Sequence, residues 1–407
     1  MRFLALVLSQ FLIFMIPWEG VVEVPGIGTA VKLYGLAVAG FWVITVVITG
    51  RMRNPAPYHI LVGLFVIWNA LSFFWSADPD ATLTLVMTWA QLLGLVLILW
   101  DLYTTQSAIQ MALQAYILGA YVAIGSAIGN YFAGAAYYSH YQRFSPGNTN
   151  PDGFGFIVVL GIPVAWYLAS TEGTSRLARW LRLVNYLYIP AAFLGLALSG
   201  TRTAMIASMP GMAFGLAHLN RIRPWARVAI FLLVVSAILL LLPYVQELRS
   251  FQRLGTTGTE LTQGDLNYRL VLWRDGLKSF VEHPLLGVGS NMYRSVNRVG
   301  KVAHNSFLSV LVEVGLIGFL LFALILFTAF LKALTLPKWD ALFWLTVLLV
   351  WAIGAFTLTW EYRKSTWLFL SLIVANAALA EPASEAVSAP SDTTVEEAAW
   401  ALPGLGR

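Results

Sequence analysis

Residues 305–330 read NSFLSVLVEVGLIGFLLFALILFTAF, an apolar run in which Glu313 is the one charged side chain. An α-helix rises about 1.5 Å per residue and the hydrocarbon core of a bilayer takes about 20 residues, so this run is long enough to cross a membrane. His304 immediately precedes the run and follows a long polar stretch, residues 245–303. This junction predicts that the titratable imidazole ring of His304 lies at a membrane surface.

The same kind of run recurs along the whole chain. Its 407 residues are 58% hydrophobic and 11% charged, and the mean hydropathy is +0.73, far from the usage of soluble globular proteins. The pattern predicts an all-α polytopic membrane protein with about twelve transmembrane helices. The first run lacks a small-residue cleavage site after it, so we expect a retained span. The predicted helices cover residues 3–18, 29–49, 59–75, 81–100, 107–130, 153–169, 180–198, 203–217, 225–244, 305–330, 341–360 and 366–380.

Two parts of the chain differ in composition. Residues 1–380 form the predicted transmembrane domain, in which residues 245–303 are one long loop. Residues 381–407 are acidic and rich in alanine, with too few large apolar side chains to bury a core, and predict a disordered tail. Within the long loop, residues 268–282 predict an amphipathic helix along the membrane interface, because apolar side chains recur there at helical spacing. These side chains are Leu270, Trp273, Leu277 and Phe280.

Basic side chains in the short loops predict the orientation. If the helices alternate in direction, these side chains share one side, which is therefore predicted to be cytoplasmic together with both termini. They are Arg51, Arg53, Arg176, Arg179, Arg182, Arg221, Arg223, Arg227, Lys332 and Lys338. The long loop, residues 133–152, the corner at Arg202 and residues 361–364 then lie together on the exterior. The isoelectric point near 9.3 thus reports topology, and we expect no nucleic acid partner.

Four exterior arginines are the candidate ligands of a phosphate group. Arg202 lies at the outer end of a predicted helix, where a permanent charge needs a partner or water. Together with Arg143, Arg269 and Arg274 it can hold a pyrophosphate by bidentate hydrogen bonds. The alternative for Arg202 is an interfacial anchor whose side chain reaches the lipid headgroups. Simple solvation is the favoured interpretation of Arg249, Arg253, Arg294 and Arg298.

His304 is the candidate base. A histidine has an unperturbed pKa of about 6.5, so a neutral ring can accept the proton of a hydroxyl near neutral pH. The alternative is a structural histidine, which is the commoner role at a membrane boundary. Glu313 lies nine residues further, roughly 13 Å along the helix. We expect it to bond to a neighbouring helix, with a role in proton transfer as the alternative.

Several kinds of site are absent from the sequence. The chain has no cysteine, which excludes disulfides, thiolate metal sites and cysteine nucleophiles. It also lacks a phosphate-binding glycine loop and clustered metal ligands apart from Asp78 and Asp80 in a short turn. We therefore expect neither metal nor cofactor. A glycosyl donor used on the exterior would arrive preactivated as a lipid diphosphate, with arginines stabilising the leaving group.

Short motifs between Leu198 and Phe322 resemble the O-antigen ligase and polymerase superfamily of bacterial envelope glycosyltransferases. Each motif is weak alone, but their order around one exterior loop is specific. The first five predicted helices match in hydrophobic architecture only. The motifs are LSGTRTA at 198–204, YR at 268–269 with Trp273, HPLLGVG at 283–289, HNSFL at 304–308 and EVGLIG at 313–318, with RFSPG at 143–147 and NPDG at 150–153 as a further possible match.

The resemblance implies a glycosyltransferase C-like membrane enzyme of lipopolysaccharide biosynthesis. It would transfer polysaccharide from undecaprenyl diphosphate to a hydroxyl of the lipid A core, at the periplasmic face of the bacterial inner membrane. By this likeness Arg202 and Arg269 hold the donor diphosphate and His304 deprotonates the acceptor, with Asn305 and Glu313 in support. Direct attack of the hydroxyl would invert the anomeric configuration without a metal. The implied partners are the lipid-linked donor, the lipid A core and membrane lipids.

Three alternatives stay open at this point. A polymerase would use the same chemistry with another lipid-linked glycan as acceptor. A protein O-glycosyltransferase is also compatible with the motifs, although no additional C-terminal domain supports it. A flippase or other transporter of lipid-linked oligosaccharide would have as many helices, but its charges should line a cavity through the midplane. Here the charges gather on one face, which favours surface chemistry.

Overall fold

The computed structural model describes residues 1–24, 28–138, 142–171, 175–220, 224–248, 252 and 268–388. Apart from a two-stranded hairpin of β1 (Glu23–Val24) and β2 (Gly28–Thr29), the regular structure of these residues is helical, which confirms the all-α prediction. The helices are α1 (Arg2–Met15), α2 (Ala30–Thr49), α3 (Pro57–Leu71), α4 (Pro79–Leu102), α5 (Gln106–Phe132), α6 (Pro151–Ser170), α7 (Arg176–Ser199), α8 (Arg202–Leu219), α9 (Pro224–Gln246), α10 (Arg269–Glu282), α11 (Ser306–Leu334), α12 (Lys338–Ala355) and α13 (Lys364–Ser388), with 3-10 turns at Ile16–Val21 and Ser72–Phe74.

The predicted membrane helices correspond to these elements one for one. Within the described part of the chain, nine helices are long and apolar enough to cross a membrane, namely α1 to α7, α11 and α12. Helices α8, α9 and α13 account for the remaining predicted runs; the apolar parts of α9 and α13 are shorter. Helix α13 continues to Ser388, past the predicted start of the tail at residue 381. Residues 389–407, and 249–251 and 253–267 of the long loop, lie outside the described residues.

Helix α6 lies at the centre of the bundle. Its span is 83% buried, the highest share among the nine, and it packs against α5, α7 and α8. The N-terminal ends of α6 and α8 approach closely at Gly155, where an added Cβ would lie 3.0 Å from Cβ of Thr201. The first turns of these two helices therefore meet at the face of the bundle that the basic loops predict to be exterior.

Helix α11 is broken nine residues into its span. Gly315 has φ 66° and ψ −169°, which interrupts the helical ladder. Part of the long loop satisfies the interrupted backbone, since the N–H of Gly289 donates to the carbonyl of Glu313 at 2.8 Å and the N–H of Leu316 to that of Pro284 at 2.9 Å. Non-helical backbone at membrane depth is stable only with such partners. The loop therefore enters the bundle beside the break.

The predicted amphipathic helix is present as α10. Leu272 packs inward, and Nε1 of Trp273 donates to the carbonyl of Ala303 at 3.0 Å, which ties α10 to the residue before His304. Leu270 and Leu277 are exposed. Their contact with the membrane interface stays a prediction.

Candidate functional site

Arg143 joins the segment before α6, the start of α6 and the turn between α7 and α8 through its buried guanidinium. Its Nε donates to the carbonyl of Ser199 at 2.6 Å, and its Nη2 donates to Oδ1 of Asp152 at 2.6 Å and to Oγ1 of Thr201 at 3.0 Å. The side chain is only 5% exposed. These bonds fix the start of α6 against the turn between α7 and α8. In the structure Arg143 is therefore a positioning residue.

That turn delivers Arg202 to the same corner. Gly200 ends α7 with φ 58°, a left-handed conformation that suits glycine, and Thr201 precedes α8 in extended conformation. Oγ1 of Thr201 also donates to the carbonyl of Pro151 at 3.0 Å. Arg202, the first residue of α8, is half-buried directly after the residue that Arg143 contacts.

Asp152 is the residue that sequence reasoning did not select. It lies in the first turn of α6 behind Asn150, whose side chain caps the helix by accepting from the N–H of Asp152 at 2.8 Å. Besides its ion pair with Arg143, its carboxylate interacts electrostatically with Arg269 and His304. An acidic residue at a helix start usually indicates only a favourable helix dipole, so Asp152 was not selected as a site residue although it lies in the NPDG motif at 150–153.

A hydrogen bond to its own backbone and the helix cap that follows it restrain the conformation of His304. Its φ is 49°, an uncommon value for a residue other than glycine, and its backbone N–H donates to Oγ1 of Thr359 at 3.0 Å. Asn305 caps α11, since its Oδ1 accepts from the N–H of Leu308 at 3.0 Å. Asn305, which we predicted to support the site, thus fixes the start of α11 directly after His304.

The surroundings of His304 favour a neutral ring. Burial lowers its pKa to about 4, with further lowering by Arg269, Lys301 and Arg294 and an opposing effect from Asp152. Arg269 is itself half-buried; burial lowers its pKa, and Asp152 opposes that shift. Near neutral pH, the site therefore presents a proton acceptor beside a guanidinium.

Glu313 bonds differently from our expectation. Its Oε2 accepts from the N–H of Asn291 at 2.9 Å and its Oε1 from the N–H of Tyr293 at 3.2 Å. The prediction of a bond to a neighbouring helix was wrong, because the break in α11 at Gly315 allows the long loop to pack beside Glu313 inside the bundle. Glu313 thereby anchors the loop that carries Arg294.

Arg274 lies apart from the other candidate arginines. It follows Arg269 by five residues, which is about 140° around a helix, and it is exposed. Its charge acts on Asp275, which pairs with the exposed Arg298 at 3.1 Å. The structure therefore does not bring Arg274 to the cluster, and its donor-binding role stays a prediction. Arg294 is exposed as expected, although its charge contributes to the field at His304.

The arrangement combines fixed cations with a base. Arginine guanidiniums can bind a diphosphate, while a neutral imidazole can accept a hydroxyl proton. Among the residues that the structure describes, no group of three or more histidine or acidic side chains could hold a metal ion. Independence from metals stays a prediction.

Comparison with known proteins confirms the resemblance that the motifs predicted. Residues 186–323, which include Arg202, Arg269 and His304, match the family model described as O-antigen ligase. The chain is also 27% identical over 322 residues to the exopolysaccharide production protein ExoQ of Rhizobium meliloti (strain 1021), covering 72% of this chain and 70% of that protein. Both similarities support a function of the ligase or polymerase type in a multi-pass membrane protein.

Proposed function

We propose that the protein is an O-antigen ligase, which transfers polysaccharide from undecaprenyl diphosphate to a hydroxyl of the lipid A core at the periplasmic face of the bacterial inner membrane. The observation that carries the proposal is the meeting of Arg269 and His304 around Asp152, next to the corner that holds Arg202. The two arginines and the histidine lie in the segment that matches the O-antigen ligase model.

The reaction follows from the charges at the site. The neutral His304 takes the proton of the acceptor hydroxyl, and the oxygen forms a bond to the anomeric carbon as the bond to the lipid diphosphate breaks. Arg202 and Arg269 stabilise the negative charge on the departing diphosphate. Attack opposite to the leaving group inverts the anomeric configuration. A positioned base contributes roughly two to four powers of ten in rate.

A polymerase is the second candidate, and one observation favours it. The relative from Rhizobium meliloti is named for exopolysaccharide production and covers most of the chain. A polymerase would use the same base and arginines but accept a hydroxyl of another lipid-linked glycan. The acceptor is the difference between the two candidates.

The test is glycan transfer by the purified protein in EDTA. The donor is undecaprenyl-diphosphate-linked polysaccharide, and lipid A core is either present or omitted. A ligase forms a product only with the core, whereas a polymerase lengthens donor chains without it. Failure of transfer in EDTA that added divalent ions restore would contradict the metal-independent mechanism. Movement of donor across liposomes without transfer would identify a transporter.

Two variants assign the residues within that assay. We expect His304→Ala to lose two to four powers of ten in rate, and Arg202→Ala to lose at least tenfold because one diphosphate cation is missing. Arg298→Ala is the matched control, since this arginine is 70% exposed and paired with Asp275 in the same loop. Native activity in His304→Ala would remove the base from the mechanism.

A further inference from the structure

A cavity of about 530 Å³ lies between the end of α5 and the segment that contains Arg143. Its volume falls in the range of about 300–1,000 Å³ that is usual for small-ligand sites. The cavity is at the end of α5 that the basic loops predict to be exterior, on the same side as the proposed chemistry. Its lining comes from two short stretches of the chain and consists of Tyr131, Phe132, Gly134, Ala136, Gln142 and Phe144.

Hydrogen bonds and ring packing fix the inner wall of this cavity. Phe144 is buried, and its ring meets that of Tyr131 edge to face, with the ring centroids 5.2 Å apart. The N–H of Phe144 donates to the carbonyl of Leu198 at 2.9 Å. Nδ2 of Asn130, on α5, donates to the carbonyl of Ser145 at 2.8 Å. These contacts hold the wall in place without a ligand.

The same wall borders the turn that carries Arg202. Leu198, which accepts the hydrogen bond from Phe144, lies in the last turn of α7. Arg143, the residue before Phe144, donates to Oγ1 of Thr201 at 3.0 Å. A glycan attached to a diphosphate at Arg202 would begin at this turn. The cavity is therefore close to the place at which the sugars of a bound donor would lie.

The chemistry of the lining fits a sugar ring. The rings of Tyr131, Phe132 and Phe144 supply apolar surface, and the amide of Gln142 supplies hydrogen-bond donors and an acceptor. A pyranose has the same two parts, because its C–H groups form an apolar face and its hydroxyls lie around the edge. None of the described residues that line the cavity is charged, so the lining does not select a phosphate or a carboxylate. The occupant with matching chemistry is a neutral sugar.

Anchoring in the membrane interface is the other role that exposed aromatic side chains have on this side of the bundle. Phe132 is 81% exposed, and Phe74, at the end of the turn Ser72–Phe74, is 81% exposed as well. Phe74 is not part of the cavity lining. An anchoring role should therefore matter equally at both positions, whereas a sugar contact should matter at Phe132 alone.

We propose that this cavity binds neutral sugar residues of the donor polysaccharide, which stack on Tyr131 and Phe132 and form hydrogen bonds with Gln142. This inference rests on the proposed function and deepens it, because it assigns a binding site to the carbohydrate part of the donor. The bound sugars hold the glycan while the diphosphate lies at Arg202. These contacts are the same before and during the chemical step, so the cavity contributes to donor binding and not to the rate of bond breaking.

Saccharide binding tests the cavity without turnover. The probe is the donor polysaccharide released by mild acid, which has neither lipid nor diphosphate, and saturation-transfer NMR measures its dissociation constant with the full-length protein. We expect Phe132→Ala to weaken binding by roughly two- to tenfold, because one aromatic contact is lost. Ala136→Trp, which fills the cavity, should abolish binding. Phe74→Ala is the matched control and should bind like the native protein.

Two results of this measurement would overturn the inference. One is that the native protein does not bind the saccharide. The other is an equal loss in Phe132→Ala and Phe74→Ala, which would assign both side chains to membrane anchoring. Gln142→Met keeps the side-chain length, removes the amide and should also weaken binding. If Ala136→Trp does not fold, Phe132→Ala and Gln142→Met still decide.

Donor kinetics show which substrate occupies the cavity. In Phe132→Ala the KM for the polysaccharide donor should rise by roughly two- to tenfold, while kcat stays near the native value, because only uniform binding is lost. Inhibition by undecaprenyl diphosphate without a glycan should be the same in both proteins. A higher KM for the lipid A core with an unchanged donor KM would assign the cavity to the acceptor and contradict the inference.

The two measurements together separate this inference from the function itself. Normal transfer with a native donor KM in Phe132→Ala, Gln142→Met and Ala136→Trp would refute the sugar site and leave the function standing. Saccharide binding that these variants lose, in a protein that transfers no glycan, would refute the function and leave the sugar site standing.

Discussion

At the scale of single residues, Arg143 and Asp152 form the bond on which the geometry of the corner depends. The guanidinium is almost fully buried, and it also satisfies the carbonyl of Ser199 and the hydroxyl of Thr201. Removal of one partner of a buried pair leaves a desolvated charge behind, which costs more than the pair itself contributes. The position of Arg202 therefore depends on a residue that need not touch substrate.

Arg143→Ala should destabilise the protein by about 3–5 kcal/mol, because the carboxylate of Asp152 and the carbonyl of Ser199 lose their donor. Thermal unfolding in detergent is the measurement. Arg298→Ala is the control, since Arg298 is 70% exposed and ion pairs of exposed side chains contribute little to stability. Equal melting temperatures for the two variants would show that the Arg143 network carries no stability.

Sequence reasoning selected Arg143, Arg269 and His304, which the structure gathers, because each combines a charge or a titratable ring with an exterior segment. It missed Asp152 because its position after Asn150 and Pro151 is equally typical of an ordinary helix start. It also included Arg274. This residue lies on a different side of α10 from Arg269, and the sequence does not show which side of α10 faces the site.

At the scale of elements, the break in α11 and the loop at residues 284–289 form one unit. The glycines of this loop are required by close approach: a Cβ on Gly287 would lie 2.5 Å from the carbonyl oxygen of Glu313. The sequence predicted α10 from the helical spacing of its apolar side chains and the start of α11 from the beginning of a long apolar run. It did not predict the break, because the backbone groups that bond to the residues on either side of Gly315 lie in a different segment of the chain.

Gly287→Ala should separate the loop from α11 and lower both the melting temperature and transfer. The added methyl meets backbone atoms that cannot move aside, and the residue already has φ 70°. Gly300→Ala is a matched control, since its φ is 67° and no atom lies within 4 Å of an added Cβ. The control carries only the backbone penalty of about 1–2 kcal/mol. If both variants lose the same stability, the close packing of the loop is unimportant.

At the scale of the whole molecule, the helices put the proposed chemistry on one face. Hydropathy is a local property, so the sequence predicted where the apolar helices lie; of the twelve predicted spans, nine are long and apolar enough to cross a membrane within the described part of the chain. Their packing around α6 depends on shape complementarity between distant segments, which a single sequence does not reveal. The orientation of the bundle in the membrane is still a prediction from the basic loops.

The absence of native cysteine allows this orientation to be measured directly. Asp80→Cys and Lys338→Cys place a thiol at exposed positions on opposite ends of the bundle. A membrane-impermeant maleimide applied to the periplasmic side of intact inner membrane should label the first and not the second. Permeabilised membrane provides the control for reactivity. The reverse pattern would place His304 in the cytoplasm and contradict the proposed function.

The anomeric configuration of the transferred sugar tests the central claim most directly. A donor of known configuration is transferred by the purified protein to lipid A core, and the new glycosidic bond is assigned by NMR coupling constants. Direct attack by a hydroxyl that His304 deprotonates predicts inversion. Retention would require a covalent intermediate on an enzyme carboxylate, with Asp152 the nearest candidate to His304, and would contradict the single displacement.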